Sequence, residues 1–186
     1  SLTVIDFAAS NPEAASLPLQ APPAMSVARR GEALFNDATI CFQGWQSCAS
    51  CHSSDARVDG LNWDLLNDGI GNPKNTKNML LAHATPPAMI SGIRSNAETA
   101  VRAGMKFIKF SVASPEDAEA VDAYLKALKP VPSPFLESGR LTRSARRGQK
   151  LFGEAGCARC HPPPLFTDMK AHDVGTAAGL DAGRPF

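Results

Sequence analysis

The sequence of 186 residues predicts a mainly α-helical protein made of two similar units, the second of them incomplete. Three observations indicate this fold class. An internal repeat matches residues 28–35 to residues 145–152. Segments of helical periodicity begin at capping residues, and strand-like alternation is confined to short segments. Because repeated segments of this kind form repeated structural units, we expect each half of the chain to fold as one unit.

The helix of the first repeat begins after Ser26, a residue type that caps helix N-termini. Val27, Gly31, Leu34 and Phe35 then fall on one face at helical spacing. A glycine inside a helix costs roughly 1 kcal/mol relative to alanine. We therefore expect another helix to approach closely at Gly31.

Two further helices are predicted in the first unit. Ser95 opens a capping-box pattern with Glu98, and the helix runs to about Phe107. Ser114 precedes a second helix that has proline at its first position. That helix is stopped by Pro130, and its apolar stripe consists of Val121, Tyr124, Leu125 and Leu128.

The second repeat begins in the same way, with Thr142 as the expected N-cap and Gly148 at the position of Gly31. Fewer residues follow its cysteine motif than follow the first one. We therefore expect the second unit to be incomplete, or its cofactor to be covered by something else.

Each repeat leads into a Cys-x-x-Cys-His motif, which is typical of covalent c-type haem attachment. The first motif is Cys48-Ala-Ser-Cys51-His52 and the second is Cys157-Ala-Arg-Cys160-His161. The two thiols of such a motif add to the haem vinyl groups, and the histidine becomes an axial iron ligand. We therefore predict two covalently attached haems, with His52 and His161 as the proximal ligands.

Zinc and thioredoxin-like chemistry are weaker interpretations of the four cysteines. The cysteine pairs of zinc ribbons are separated by about 15–20 residues, whereas residues 52–156 separate the pairs here. A thioredoxin-like pair needs a strand followed by a helix, and the sequence around these motifs is not strand-like.

The sixth iron ligand of the first haem has three main candidates, His83, Met89 and Met105, with Met79 as a further alternative. Methionine ligation raises the haem potential, so the choice matters for function. The alternative for His83 is a hydrogen bond to a haem propionate or a backbone carbonyl. The alternative for either methionine is an ordinary place in the core. Candidates for neutralising propionates are Lys74, Lys77, Arg94 and Arg159.

The sequence resembles the bacterial di-haem cytochrome c peroxidase superfamily. The matching residues are Arg30-Gly31, Leu34-Phe35, Asn75-Thr76 and the first motif, then Arg147-Gly148, Leu151-Phe152, the second motif, Pro164 to Asp168, His172 and Gly175. The resemblance implies two cytochrome-c-like domains with one haem each, electron transfer between them, and hydrogen peroxide reduction in the peroxidases. It also implies a supporting role for His172 beside the second haem and a calcium site at Asn75.

Three departures from the peroxidase pattern keep a second function open. Ile90 stands where the peroxidases carry an inter-haem tryptophan, and Thr99 lies near their glutamine position. Peroxide cleavage needs a base to move a proton, and no acid stands at the expected position. The alternative function is a pure electron-transfer relay, or a redox module of a larger surface protein.

The domain boundaries follow from these assignments. Residues 1–22 form an N-terminal extension that looks like the end of a β-propeller, because residues 1–6 alternate like a final blade strand. Residues 23–129 form the first haem domain. Residues 130–140 form a proline-rich linker, and residues 141–186 form the partial second haem domain.

Composition limits the partners. With a net charge of +1, the chain lacks the excess of positive charge that is typical of nucleic-acid-binding proteins. No apolar run reaches the roughly 18 residues of a transmembrane helix. We expect a redox partner protein as electron donor or acceptor. The usual home of c-type haem predicts a periplasmic or other extracytoplasmic location.

Overall fold

The computed structural model of the chain describes residues 2–8, 10, 14–18, 24–64, 73–89, 92–176, 178–179 and 182. Its helices are α1 Val27–Asn36, α2 Cys48–Cys51, α3 Ser53–Ala56, α4 Ala97–Phe107, α5 Pro115–Ala127 and α6 Arg143–Glu154. Short 3-10 turns cover Phe42–Gly44, Ala82–Ala84 and Cys157–Arg159. The fold is mainly helical, as the sequence predicts.

The strands are short and pair in two antiparallel hairpins. In the first, β1 Leu2–Ile5 pairs with β2 Ala14–Leu17, with Leu2 opposite Leu17. In the second, β3 Asn62–Trp63 pairs with β4 Lys74–Asn75. The strand predicted at the N-terminus is present, and its partner β2 had no strong sequence signal.

Side-chain caps fix the starts of the four longer helices. Ser26, Ser114 and Thr142 each accept a hydrogen bond from the third residue that follows, as the sequence predicts. The cap of α4 is Asn96, which accepts from the backbone N–H of Thr99, so the predicted start at Ser95 was wrong by one residue. Asparagine caps as well as serine does, and the two adjacent candidates are not separable from the sequence.

The core of the first unit forms where α1 crosses α5. A Cβ atom on Gly31 would clash with the carbonyl group of Ala120 and would lie 2.9 Å from Tyr124 Cβ. The expected close helix approach at Gly31 is therefore confirmed. Beside the crossing, the rings of Phe35 and Tyr124 lie 5.3 Å apart, and Phe35 and Val121 are fully buried.

The second repeat has no such partner in the described part of the chain. Helix α6 contains no buried residue, and nothing lies within 4 Å of the Cβ position of Gly148. Leu151 is 61% exposed although it matches Leu34 of the first repeat.

No helix among the described residues has the length and apolar character needed to cross a membrane.

Candidate haem sites

A cavity of about 460 Å³ lies in the first unit, next to the first cysteine motif. Its walls come from the motif, from the segment of residues 74–89, and from α4 and α5. We call it the haem cavity, and its main lining side chains are Phe35, Cys48, Cys51, His52, Met79, Met89, Val101, Met105 and Val121. A largely apolar cavity beside two thiols and an imidazole fits a covalently bound haem.

The ring of His52 is held in one orientation. Its Nδ1 lies 2.8 Å from the carbonyl oxygen of Lys77. Because a carbonyl oxygen only accepts, Nδ1 carries the proton and Nε2 keeps its lone pair. Burial lowers the pKa of His52, so the ring is neutral near pH 7. A neutral imidazole whose second nitrogen is bonded to a carbonyl is the usual form of a metal-ligating histidine.

The two thiols of the first motif are not activated. Burial raises the pKa of Cys48, and burial with the nearby charge of Asp59 raises the pKa of Cys51. Thiolates attack disulfides, so a raised pKa of both thiols disfavours thiol–disulfide exchange here. Among the described residues, neither cysteine belongs to a cluster of three or more potential metal ligands.

The second motif repeats the histidine geometry on an exposed surface. His161 Nδ1 lies 2.9 Å from the carbonyl oxygen of Phe166, which again leaves Nε2 as the free nitrogen. The Phe152 ring packs 6.4 Å from the His161 ring and 6.0 Å from the Phe166 ring. The aromatic residue of the repeated helix thus contacts the motif histidine.

His172 lies close to Cys160 of the second motif, and its supporting role beside the second haem stays a prediction. Its Nε2 is 2.8 Å from an Asp168 oxygen, and the backbone N–H of Asp168 donates to the carbonyl of Cys160. Hydrogen bonding from His172 lowers the pKa of Asp168. Cys160, Asp168 and His172 have ligand atoms within 4.8 Å of one another. A thiol engaged in a thioether would leave only two free ligands in that group.

The three candidates for the sixth ligand of the first haem lie in different places. Met89 and Met105 line the haem cavity, and Met105 is only 4% exposed. His83 is not among the cavity-lining residues, and its Nε2 lies 2.9 Å from Asp122 Oδ1. The other Asp122 oxygen lies 2.6 Å from Arg102 Nη1. His83 and Asp122 have side chains that are each 6% exposed, so this pair is buried.

The remaining predicted site residues are spread around the cavity. Lys74, Asn75 and Lys77 line it. Asn75 donates to the Asn62 side chain at 3.3 Å. Arg94 does not line the cavity and shares an isolated bridge with Ala88, which does line it. Ile90 lies outside the described residues, so its place relative to the haems stays a prediction.

Sequence reasoning missed two buried charges near the cavity, Lys109 and Asp122. Lys109 is 3% exposed and Asp122 is 4% exposed. The available signal for Lys109 was its position in the apolar run Phe107-Ile-Lys-Phe110. Asp122 stands beside Val121 in the predicted apolar stripe of α5, where a charge needs a partner.

No family model matches the chain, but comparison with known proteins finds relatives of similar sequence. The chain is 37% identical to hydrazine synthase subunit gamma of Kuenenia stuttgartiensis over 169 residues, which is 80% of this chain and 48% of that subunit. It is 26% identical to the methylamine utilization protein MauG of Methylorubrum extorquens, over 93% of this chain and 60% of that protein. It spans about half the length of these curated relatives.

Solved structures resemble the chain in the same way. A Kuenenia stuttgartiensis hydrazine synthase structure matches with a TM-score of 0.74 and 36% identity, over 84% of this chain and 56% of that one. A MauG-like protein associated with microbial copper homeostasis matches with a TM-score of 0.54 and 18% identity, again over 84% of this chain and 56% of the other. At that identity, the second match shows only a shared fold.

Proposed function

The chain belongs to the bacterial di-haem cytochrome c peroxidase superfamily, and from this membership we propose that it transfers electrons through two covalently bound haems. Cys48 and Cys51 attach the first haem and His52 ligates its iron. Cys157, Cys160 and His161 do the same for the second. Bound haem supplies a one-electron couple, while the protein supplies attachment, orientation and electrostatics.

The observation that carries this proposal is the shared geometry of the two histidines. Each donates its Nδ1 proton to a backbone carbonyl, from Lys77 or from Phe166, at 2.8 and 2.9 Å. Each therefore keeps Nε2 free beside a cysteine pair. Two unrelated histidines have no reason to share this arrangement, whereas two proximal ligands require it.

We propose Met89 or Met105 as the sixth ligand of the first haem. Both side chains line the haem cavity, and methionine with histidine is the ligand pair of electron-transferring cytochromes c. His83 is held by Asp122 outside the cavity lining. To ligate the iron, it would have to give up a buried hydrogen bond to a carboxylate.

Electron relay is favoured over peroxide reduction at the first haem. Among the described residues, no aspartate or glutamate lines the haem cavity. Thr99, near the peroxidase glutamine position, is exposed on α4 and does not line it either. A proton-moving base is thus missing from the described walls. Hydrogen peroxide reduction by the protein stays a prediction of the family resemblance.

Haem counting tests the proposal directly. The intact mass of the purified chain should exceed the polypeptide mass by two haems. The double variants Cys48→Ala/Cys51→Ala and Cys157→Ala/Cys160→Ala should each lose one. The visible spectrum should show a first haem that is low-spin in both oxidation states and that does not respond to peroxide. A chain with no covalent haem, or a first haem that is high-spin and reacts with peroxide, would contradict the proposal.

Partner, location and calcium complete the proposed function. The relay needs a redox partner protein as donor or acceptor, and an extracytoplasmic location suits covalent haem attachment. Calcium at Asn75 rests on the family resemblance alone, and equilibrium dialysis with calcium would test it. The domain boundaries at residues 22, 129 and 140 are part of the same proposal.

A further inference from the structure

Lys109 is a buried lysine in the wall of the haem cavity. It lies just after α4, is 3% exposed, and is one of the cavity-lining residues. A lysine ammonium has three hydrogen-bond donors and no acceptor. Among the described residues, the only hydrogen bond of the Lys109 ammonium goes to the carbonyl oxygen of Asp37 at 3.4 Å, and the ammonium forms no ion pair. Such a poorly compensated buried charge is unusual in a protein interior.

The backbone fixes Lys109 close to the first cysteine motif. Its carbonyl oxygen accepts from the Cys41 thiol at 3.3 Å and from the Phe42 N–H at 2.9 Å. The Gln46 side chain donates to the carbonyl of Ile108 at 3.2 Å. These bonds tie residues 108–109 to the segment that leads into Cys48. Burial raises the pKa of the Cys48 thiol, and the charge of Lys109 is the strongest influence opposing that rise.

We infer that Lys109 raises the reduction potential of the haem attached at Cys48 and Cys51. This inference rests on the proposed function, since it requires a haem in that cavity. Reduction adds one electron to the iron centre, so a fixed positive charge nearby stabilises the reduced state relative to the oxidised one. Inside a protein, the lower dielectric makes such a charge far more effective than in water. Net charge and burial are recognised determinants of haem potential.

The chain contains a matched control three residues away. Lys106 lies on α4 and carries the same charge, but its side chain is exposed and sits over the Phe107 ring. Solvent and salt screen an exposed charge. Removing the charge at position 106 should therefore leave the haem potential nearly unchanged, whereas removing it at position 109 should not.

Redox titration of Lys109→Leu and Lys106→Leu tests the inference. Leucine removes the charge and carries no atom that could ligate iron. With both haems attached to the full chain, Lys109→Leu should lower one of the two midpoint potentials and leave the other in place. Lys106→Leu should change neither, and Lys109→Arg should keep the parent values. If Lys109→Leu does not fold, Lys109→Gln gives the same comparison.

Three outcomes would overturn the inference. Lys109→Leu or Lys109→Gln could leave both potentials unchanged, or could raise one. A change of spin state in the variant would mean that Lys109 acts on the iron ligands rather than through its charge. A parent chain that lacks covalent haem is recognised beforehand from its mass and contradicts the proposed function instead.

Discussion

His52 and His161 are oriented by backbone carbonyls that lie 25 and 5 residues further along the chain. The first carbonyl comes from a distant loop and the second from the turn directly after the motif. The same tautomer is therefore imposed by two different local structures. The two sites therefore have different backbone surroundings, and what they share is a free Nε2 atom that could bind iron.

Replacing His52 should separate haem attachment from iron ligation. In His52→Ala, both thioether-forming cysteines remain, so we expect two haems by mass but a high-spin first haem. Added imidazole should restore the low-spin spectrum. His172→Ala is the control, since His172 lies beside the second motif as a neighbour of Asp168. A His52→Ala chain with an unchanged spectrum would contradict the assignment of His52.

The two candidate methionines, Met89 and Met105, can be distinguished in the same spectra. Met89→Leu and Met105→Leu conserve side-chain volume and remove the sulfur. The variant that removes the iron ligand should lose the far-red sulfur-to-iron band and should lower the first haem potential. The other variant should keep both properties. If neither variant changes the band while His83→Ala changes the spectrum, His83 is the ligand after all.

Asp122 should be important for stability. One of its carboxylate oxygens pairs with His83 and the other with Arg102, and its side chain is 6% exposed. In Asp122→Ala the buried His83 loses its acceptor, which typically costs about 1–3 kcal/mol for a buried group, and the loss of the pair with Arg102, whose side chain is 43% exposed, adds about 1 kcal/mol or less. Asp117→Ala is the matched control on the same helix, since it removes the more exposed pair with Arg30 and should cost about 1 kcal/mol or less. Chemical denaturation of the haem-loaded chain measures both.

Helices α1 and α6 show how one sequence pattern can meet two environments. Both are capped amphipathic segments with a glycine at the same repeat position. Helix α1 crosses α5 at Gly31, whereas Gly148 of α6 has open space around it. The local sequence therefore specifies the helix, and the presence or absence of a packed neighbour decides whether the glycine permits a close helix approach.

Alanine at the two glycines should have effects of opposite sign. Gly31→Ala puts a methyl group into the backbone of α5, and overpacking of this kind typically costs about 1–3 kcal/mol. Gly148→Ala meets nothing within 4 Å and should gain up to about 1 kcal/mol in helix propensity. Thermal unfolding of the two variants checks this prediction. Equal destabilisation by both would contradict the helix crossing described for α1.

At the scale of the whole molecule, the described core belongs to the first unit. Phe35, Val101, Met105, Val121 and Tyr124 belong to one buried cluster, and the first four of them line the haem cavity. A bound haem would add contacts to the same core. The first unit should therefore depend on its haem for stability.

Removing one haem at a time should show that the first unit depends on its haem for stability more than the second unit does. Cys48→Ala/Cys51→Ala should lose helical signal and unfold at a clearly lower temperature, because ligand binding stabilises a folded unit. Cys157→Ala/Cys160→Ala should keep most of the helical signal, because α6 buries no residue in the described structure. Circular dichroism of both variants measures the difference. Equal losses would show that the second unit contributes as much to the fold as the first.

The sequence by itself determined the local features of this protein. Caps at Ser26, Ser114 and Thr142, the helical periodicity and the two Cys-x-x-Cys-His motifs depend on residues near one another in the chain. Local hydrogen bonding and side-chain spacing are enough to specify them. The mainly helical fold class followed from these features, the superfamily was inferred from the resemblance to known sequences, and both were confirmed.

Only the tertiary structure decided which residues face the haem cavity. His83, Met89 and Met105 were all candidates in the sequence, with His83 considered first, and folding put Met89 and Met105 in the cavity wall and His83 against Asp122. Lys109 and Lys106 were likewise two lysines near the end of one helix, yet one is buried and the other exposed. Burial and partnership depend on contacts between distant segments, such as residues 41–46 with 108–109. No local pattern records those contacts, because they form only when the chain packs.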